Sequence, residues 1–239
     1  MTTVELDTPA GVRRDPYPRP WTAAEFARAC GLGVFAGRAA ELHDAQIVER
    51  TDADLRPFVF TRKEYASLYD NQFFQNQRVQ LIAGEILREL PMNRPHAKSM
   101  FKTTKALERA FSDDYHVQCQ IPLGLGLTSQ PIPDAAVILG TIDDYDDHPT
   151  TAVLVVEVSE TTYDSDVTKK ASLYAAAGIT DYWIVDIARR RVLVMRDPRP
   201  HDGEPHGYRY AALAPYADDA TIAPLAAPTA RVRVADLLP

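Results

Sequence analysis

From Thr61 onward, apolar and polar positions recur with definite periods, and the elements they predict follow one another along the chain. Thr61-Arg62-Lys63-Glu64 fits a capping box, in which hydroxyl and carboxylate satisfy the free amides of a helix start, so a helix is predicted to about Tyr69. Residues 78–90 alternate on either side of Ala83-Gly84 and predict a β-hairpin. Pro91 to Pro95 interrupt it, and residues 96–111 then place Met100, Thr104, Leu107 and Phe111 at near-helical spacing. Strands are predicted at residues 115–121, 134–139 and 152–158. A helix over residues 166–177 follows, ending at Gly178, which suits a left-handed C-terminal position. Residues 181–186 and 191–196 predict two more strands in a hairpin-like arrangement.

That order gives an α/β class with a mixed sheet flanked by helices, without the regular strand–helix alternation of a doubly wound fold. Residues 1–57 form an N-terminal extension without sustained periodicity. It has a Pro-rich start (Pro9, Pro16, Pro18, Pro20) and one short helix predicted over residues 22–30, and is expected to be partly disordered or helical. Residues 58–198 are the expected main domain. The Ala-, Pro- and Asp-rich residues 199–239 predict a segment packing on that core.

Composition changes this picture little. With 239 residues, 46% hydrophobic and 25% charged, the chain has room for one buried core plus an appended segment. No apolar run approaches the roughly 20 residues of a membrane helix. The N-terminus lacks the basic head and apolar stretch of a signal peptide, and Cys30 and Cys119 have no metal-ligand spacing, so a reducing, cytoplasmic setting is expected. A net charge of −7 argues against a protein that coats nucleic acid. It leaves open an enzyme that recruits Mg²⁺ locally as its positive charge.

The candidate chemistry sits in interrupted apolar runs. Residues 151–159 are nearly continuous Val and Leu, as in a strand buried on both faces, and Glu157 breaks the run. A carboxylate there costs several kcal/mol unless a cation or metal accompanies it, or unless the strand ends in water. Asp134 opens another apolar strand after Pro131-Ile132-Pro133; a turn aspartate is the plain alternative. If the two strands are neighbours, the carboxylates meet at one sheet edge, where hard oxygen ligands suit Mg²⁺. On the following helix Lys170 lies within about 60° of the apolar stripe of Val167, Ala171 and Tyr174, whereas Lys169 faces nearly the opposite way. By itself Lys170 reads as a snorkelling side chain. Beside two carboxylates it could orient a water and offset charge developing on a phosphate. The acidic run Asp143-Asp144-Tyr145-Asp146-Asp147 reads as a solvated loop. Tyr182 and Trp183 read as core, and Asp186 as a strand-end cap.

These pieces stand in the order Leu81-Ile82-Ala83-Gly84-Glu85-Ile86, Pro95-His96, Pro133-Asp134-Ala135-Ala136-Val137, Val155-Val156-Glu157-Val158-Ser159, Lys170 with Leu173-Tyr174 and Gly178, and Asp181-Tyr182-Trp183-Ile184-Val185-Asp186. In that series the chain resembles the Uma-two-type family of restriction endonucleases over about residues 58–194. The resemblance implies a restriction-endonuclease-like, PD-(D/E)xK core, with Asp134 and Glu157 as the acidic pair and metal ligands, and Lys170 as the lysine. Ser159 stands where the general pattern has that lysine, and the family takes it from the helix instead. The family hairpin usually reads Glu-Leu-Ile-Asp-Gly-Glu; here Gln80 and Ala83 replace the first Glu and the Asp, which would weaken a site that used them. Glu85, His96, Gln80 and Tyr174 are implied as supporting residues. His96 would contact a phosphate or hold the hairpin.

The expected function is therefore Mg²⁺- or Mn²⁺-dependent hydrolysis of phosphodiester bonds in DNA, with Asp134, Glu157 and the Val158 carbonyl around the metal. A homodimer is implied only by analogy with related folds. The alternative is a catalytically inactive nuclease-fold protein that serves as a binding or interaction module, favoured by Gln80, Ala83 and the acidic charge.

Overall fold

A computed structural model describes residues 16–239; the Pro-rich start up to Asp15, including Pro9, lies outside the described residues. Strand β1 (Tyr17–Pro18) leads into helix α1 (Ala23–Gly31), and Thr22 and Glu25 close a capping box at its start. The next residues, where no periodicity is evident, form a three-stranded antiparallel sheet of β2 (Ala40–His43), β3 (Gln46–Arg50) and β4 (Leu55–Pro57). The β2–β3 turn carries Asp44 and Ala45 at positive φ, the geometry of a tight hairpin turn without its usual glycine. Helix α2 (Arg62–Asp70) starts at the Thr61–Glu64 capping box, as predicted. Hairpin β5 (Val79–Ile82) and β6 (Glu85–Arg88) turns at Ala83-Gly84, both at positive φ, and β1 extends it. Trp21, Phe35, Phe58, Phe60, Tyr65, Leu68 and Leu81 bury one another, so the N-terminal residues and the hairpin share a core.

Helix α3 (Arg94–Ala110) begins earlier than predicted. Asn93 accepts the His96 amide, and Pro95 sits in the first turn, where its missing N–H costs nothing. The central sheet then forms from β7 (Tyr115–Gln118), β8 (Ala135–Leu139), β9 (Leu154–Ser159), β10 (Asp181–Asp186), β11 (Arg191–Pro200) and β12 (Tyr208–Ala217), neighbours in that order. Only β9 and β10 run parallel. The helix joining them is not the regular one predicted over 166–177. It runs through α4 (Tyr163–Ser165), a π-helical stretch Asp166–Lys170 and α5 (Ala171–Ala176), and Gly178 follows at φ +75°.

Because side chains alternate across a strand, β9 serves two cores. Leu154, Val156 and Val158 pack with Trp183, Leu107 of α3 and the C-terminal Val234, Leu237 and Leu238. Val155 packs on the other face with Ala171, Tyr174, Tyr182 and Ile184, and Glu157 points to that same side. Short strands β13 (Thr221–Ile222) and β14 (Val232–Arg233) close the chain. The mixed α/β architecture is the expected one. The strands not anticipated are β1, the β2–β4 sheet, the mostly exposed edge strand β12 and the short β13–β14 pair. No helix among the described residues is long and apolar enough to cross a membrane.

Candidate active site

The antiparallel register Ala135↔Val156 sets Asp134, just before β8, against the end of β9. Asp134 accepts the Val158 amide on Oδ2 at 2.8 Å, and His96 Nε2 (3.0 Å) and Gln120 Nε2 (3.3 Å) on Oδ1. It is 8% exposed, and Glu157 is 2% exposed. Glu157 Oε1 accepts the Tyr174 hydroxyl at 2.7 Å, and its Oε2 lies 2.9 Å from Lys170 Nζ. Lys170 Nζ is also 3.4 Å from Asp166 Oδ1.

Asp166, Lys170 and Tyr174 follow at intervals of four through the π-helical turn. Lys170 and Tyr174 reach Glu157 on β9 and Asp166 reaches Lys170, while the Asp166 carbonyl accepts both the Ala171 amide and the Tyr182 hydroxyl. Such π segments recur at functional sites. Asp166 is buried, and Thr162 donates to its Oδ2 at 2.7 Å.

One ammonium thus faces three buried carboxylates. Burial disfavours the charge on Lys170, yet Glu157, Asp166 and Asp134 outweigh it and hold the amine protonated. Burial pushes Glu157 well above the usual carboxylate range, and although Lys170 opposes this, Asp134 and Asp166 add to it. Burial raises Asp166 too. Asp134 goes the other way: burial would raise it, but His96, Lys170 and the Val158 amide hold it low. His96 is raised, because the bond to Asp134 overcomes its own burial. Lys170 cannot neutralise three acids, so Glu157 and Asp166 are the ones pushed toward the neutral, protonated form while Asp134 stays ionised.

The cluster opens into a cavity of about 100 Å³ lined also by Gln80, Asn93, Glu160 and Thr162. Among the described residues no three His, Cys, Asp or Glu side chains stand in an arrangement that could hold a metal ion by themselves. The donors that fit a hard divalent cation are the carboxylates of Asp134 and Glu157. A cation there would favour the ionised form of Glu157 that burial opposes, and Mg²⁺ characteristically binds one or two carboxylates and keeps several waters.

Of the residues singled out from the sequence, Asp134, Glu157, Lys170, Tyr174, His96 and Gln80 gather here. His96 does not hold the hairpin: its Nε2 is bonded to Asp134, and its side chain lines the cavity. Gln80 is buried and accepts the Ile132 amide at 3.4 Å. Glu85 is not brought in: it is exposed at the far end of the hairpin, in a different cavity beside Trp21 and Phe58. Ala83 belongs to that turn and not to the site. Ser159, in the position of the general pattern's lysine, is buried, with its hydroxyl unpartnered among the described residues. Asp166 and Gln120 were not anticipated. Asp166 had a usable signal, standing four and eight residues before Lys170 and Tyr174 on one helical face. Gln120 had none.

The comparisons with known proteins bear on the family and the fold. The family model described as "Uma2: Putative restriction endonuclease" matches residues 62–226. A solved structure described as a putative nuclease belonging to DUF820 from Anabaena variabilis shares the fold, with a TM-score of 0.54 at 14% identity over 70% of this chain and 95% of that one. No curated protein matches the sequence. The match spans well over half of the chain and contains Asp134, Glu157 and Lys170, and on that ground the protein belongs to the Uma2 family.

Proposed function

We propose that the protein is a divalent-metal-dependent endonuclease that hydrolyses phosphodiester bonds in DNA, with Asp134, Glu157 and Lys170 as its catalytic residues. The observation that carries this reading is the set of three buried carboxylates around a single lysine in one small cavity. The polymer is inferred from the family's description and from the nuclease that shares the fold. Asp134 and Glu157, with the Val158 carbonyl, would hold Mg²⁺ or Mn²⁺. When bound, the ion would act as a Lewis acid on the phosphate and lower the pKa of a water.

The chain's own groups supply the rest. His96, Gln120 and the Val158 amide fix both oxygens of Asp134, and Tyr174 and Lys170 fix those of Glu157, so the acids are oriented before substrate arrives. In hydrolysis water adds to phosphorus, one P–O ester bond breaks and the leaving alcohol takes a proton. The charge that builds on the phosphate oxygens is offset by Lys170, held cationic by its neighbours. One such site serves one strand, and a homodimer would present two to a duplex.

The test is incubation with plasmid, single-stranded DNA and RNA, with Mg²⁺ or Mn²⁺ and with EDTA, alongside Asp134→Ala. Metal-dependent cleavage of DNA that is lost in the variant is expected. No cleavage of any polymer would overturn the proposal in favour of a binding module. Gln80, in the cavity where the family usually has Glu, favours that second reading.

A further inference from the structure

The catalytic cavity is too small for the polymer it would cut. At about 100 Å³ it falls well below the roughly 300–1,000 Å³ that encloses ligands of nucleoside size. It can take the reacting phosphate, and the nucleosides on either side of that phosphate must lie elsewhere. Beside it lies a groove of about 1020 Å³, and Arg78, Gln120 and Ile132 line both spaces. Gln120 forms the partition. Its backbone stands at φ +54°, a sparsely populated region for a residue with a side chain, and its amide donates to Asp134.

The groove carries the two surfaces a nucleoside needs. Tyr69 is 62% exposed, while Tyr65 and Phe74 hold its ring at centroid distances of 6.3 and 6.1 Å, which makes a fixed aromatic platform. Leu127, 83% exposed, lies on the loop that forms the other wall. Lys63 is exposed on the rim, and Arg78 stands at the shared boundary, bridged to Glu89 at 3.1 Å. Arg62 in the groove bridges Asp147 at 3.2 Å and Asp70 also lines it, so the groove offers individual cations and not a continuous positive track. Stacking on an aromatic face with flanking cations is the general mode of binding an unpaired strand. A paired base stays inside its stack and cannot reach such a face unless it is extruded.

We infer that this groove is a binding site for an unstacked nucleoside next to the scissile phosphate, with Tyr69 as the stacking face and Lys63 and Arg78 along the backbone. The inference rests on the nuclease reading and adds a preference to it: single-stranded or locally opened nucleic acid over intact duplex.

The test measures binding separately from cleavage. Fluorescence anisotropy of the full chain in EDTA would use a labelled single strand of about 12 nucleotides and its duplex. The single strand is expected to bind more tightly, and Tyr69→Ala to weaken that binding about tenfold, the size of one aromatic–base stack. Tyr69→Phe, which keeps the ring, should bind as wild type, and Lys63→Ala should flatten the salt dependence. The same proteins are assayed for metal-dependent cleavage of plasmid. If Tyr69→Ala binds the single strand unchanged while plasmid is still cut, the groove inference falls and the nuclease reading stands. If the wild type neither binds nor cuts any polymer, both fall together.

Discussion

Lys170 Nζ lies 2.9 Å from Glu157 Oε2, joining the helix that follows β9 to the strand itself inside a nearly solvent-free cluster. The ammonium contributes more than a pair of opposite charges. It keeps Glu157 ionisable in a place where burial, Asp134 and Asp166 all push it toward the neutral acid. Removing Lys170 leaves Glu157 and Asp166 without their shared cation, whereas removing Lys170 and Glu157 together leaves one buried acid fewer to accommodate.

Lys170→Met should therefore destabilise the metal-free protein by roughly 3–5 kcal/mol. Adding Glu157→Gln in the same chain should recover much of that loss. Urea unfolding of both single variants and the double variant gives the coupling directly. Losses that simply add would show that the two side chains do not act as a pair.

Glu157→Gln alone should keep the fold, because the amide can still accept from the Tyr174 hydroxyl and Lys170 retains Asp166. Cleavage should fall to background, since a neutral amide is a much poorer ligand for a hard cation. Circular dichroism checks the first half of this expectation and the plasmid assay the second. Undiminished cleavage would remove Glu157 from the site.

Gln80→Glu restores the acid that the family hairpin usually carries, inside the cavity shared with Asp134 and Glu157. A further carboxylate should tighten Mn²⁺ binding about tenfold, equivalent to 1.4 kcal/mol. It should also lower the stability of the metal-free protein, because it adds negative charge where there is already an excess. Calorimetric titration reads the first effect; unchanged affinity would place position 80 outside the metal's reach.

The hairpin turn offers an independent check on backbone energetics. Ala83 sits at φ +48°, where a residue with a Cβ pays roughly 1–2 kcal/mol, and Ala83→Gly should raise stability by about 1 kcal/mol. Gly84→Ala should do the reverse, since its Cβ would lie 2.3 Å from Val59 Cγ1. Neither change should alter cleavage, because the turn is away from the catalytic cavity. A drop in activity in Ala83→Gly with its fold intact would contradict that placement.

How much was legible follows from what each signal depends on. Asp134 and Glu157 stand out because a carboxylate in an apolar strand needs a reason, and that reason is local to the sequence. Lys170 follows from its helical angle only when taken together with those two carboxylates; by itself it reads as a snorkelling side chain. The π winding at 166–170 leaves no trace in residue type; the spacing of Asp166, Lys170 and Tyr174 is visible in the sequence, but that Asp166 is buried against Lys170 depends on the fold. His96 was visible as a residue, but its partner 38 positions away was not. The β2–β3 hairpin turns on Asp44-Ala45 without glycine, and β12 is mostly exposed, so its apolar alternation is weak.

The pH dependence of stability brings these electrostatics together. Glu157 is raised from 4.5 to about 8 in the folded protein, so between those values the folded state holds a proton that the unfolded chain has released. Stability must therefore fall as pH rises across that window. His96, raised above 6.5, acts in the same direction, its contribution present below 6.5 and lost as pH passes its folded value. Asp134, lowered from 3.8, gives a contribution that is constant above that value and disappears only in stronger acid. Metal-free protein should thus be less stable at about pH 8 than at about pH 5. Divalent cations bind the deprotonated acid, so Mg²⁺ should stabilise increasingly as pH rises and offset the decline. Thermal unfolding across that range, in EDTA and in Mg²⁺, tests both slopes, and Glu157→Gln should flatten each. If the variant keeps the wild-type slope, the raised titration does not belong to Glu157, and the electrostatic case for a cation at this position is lost.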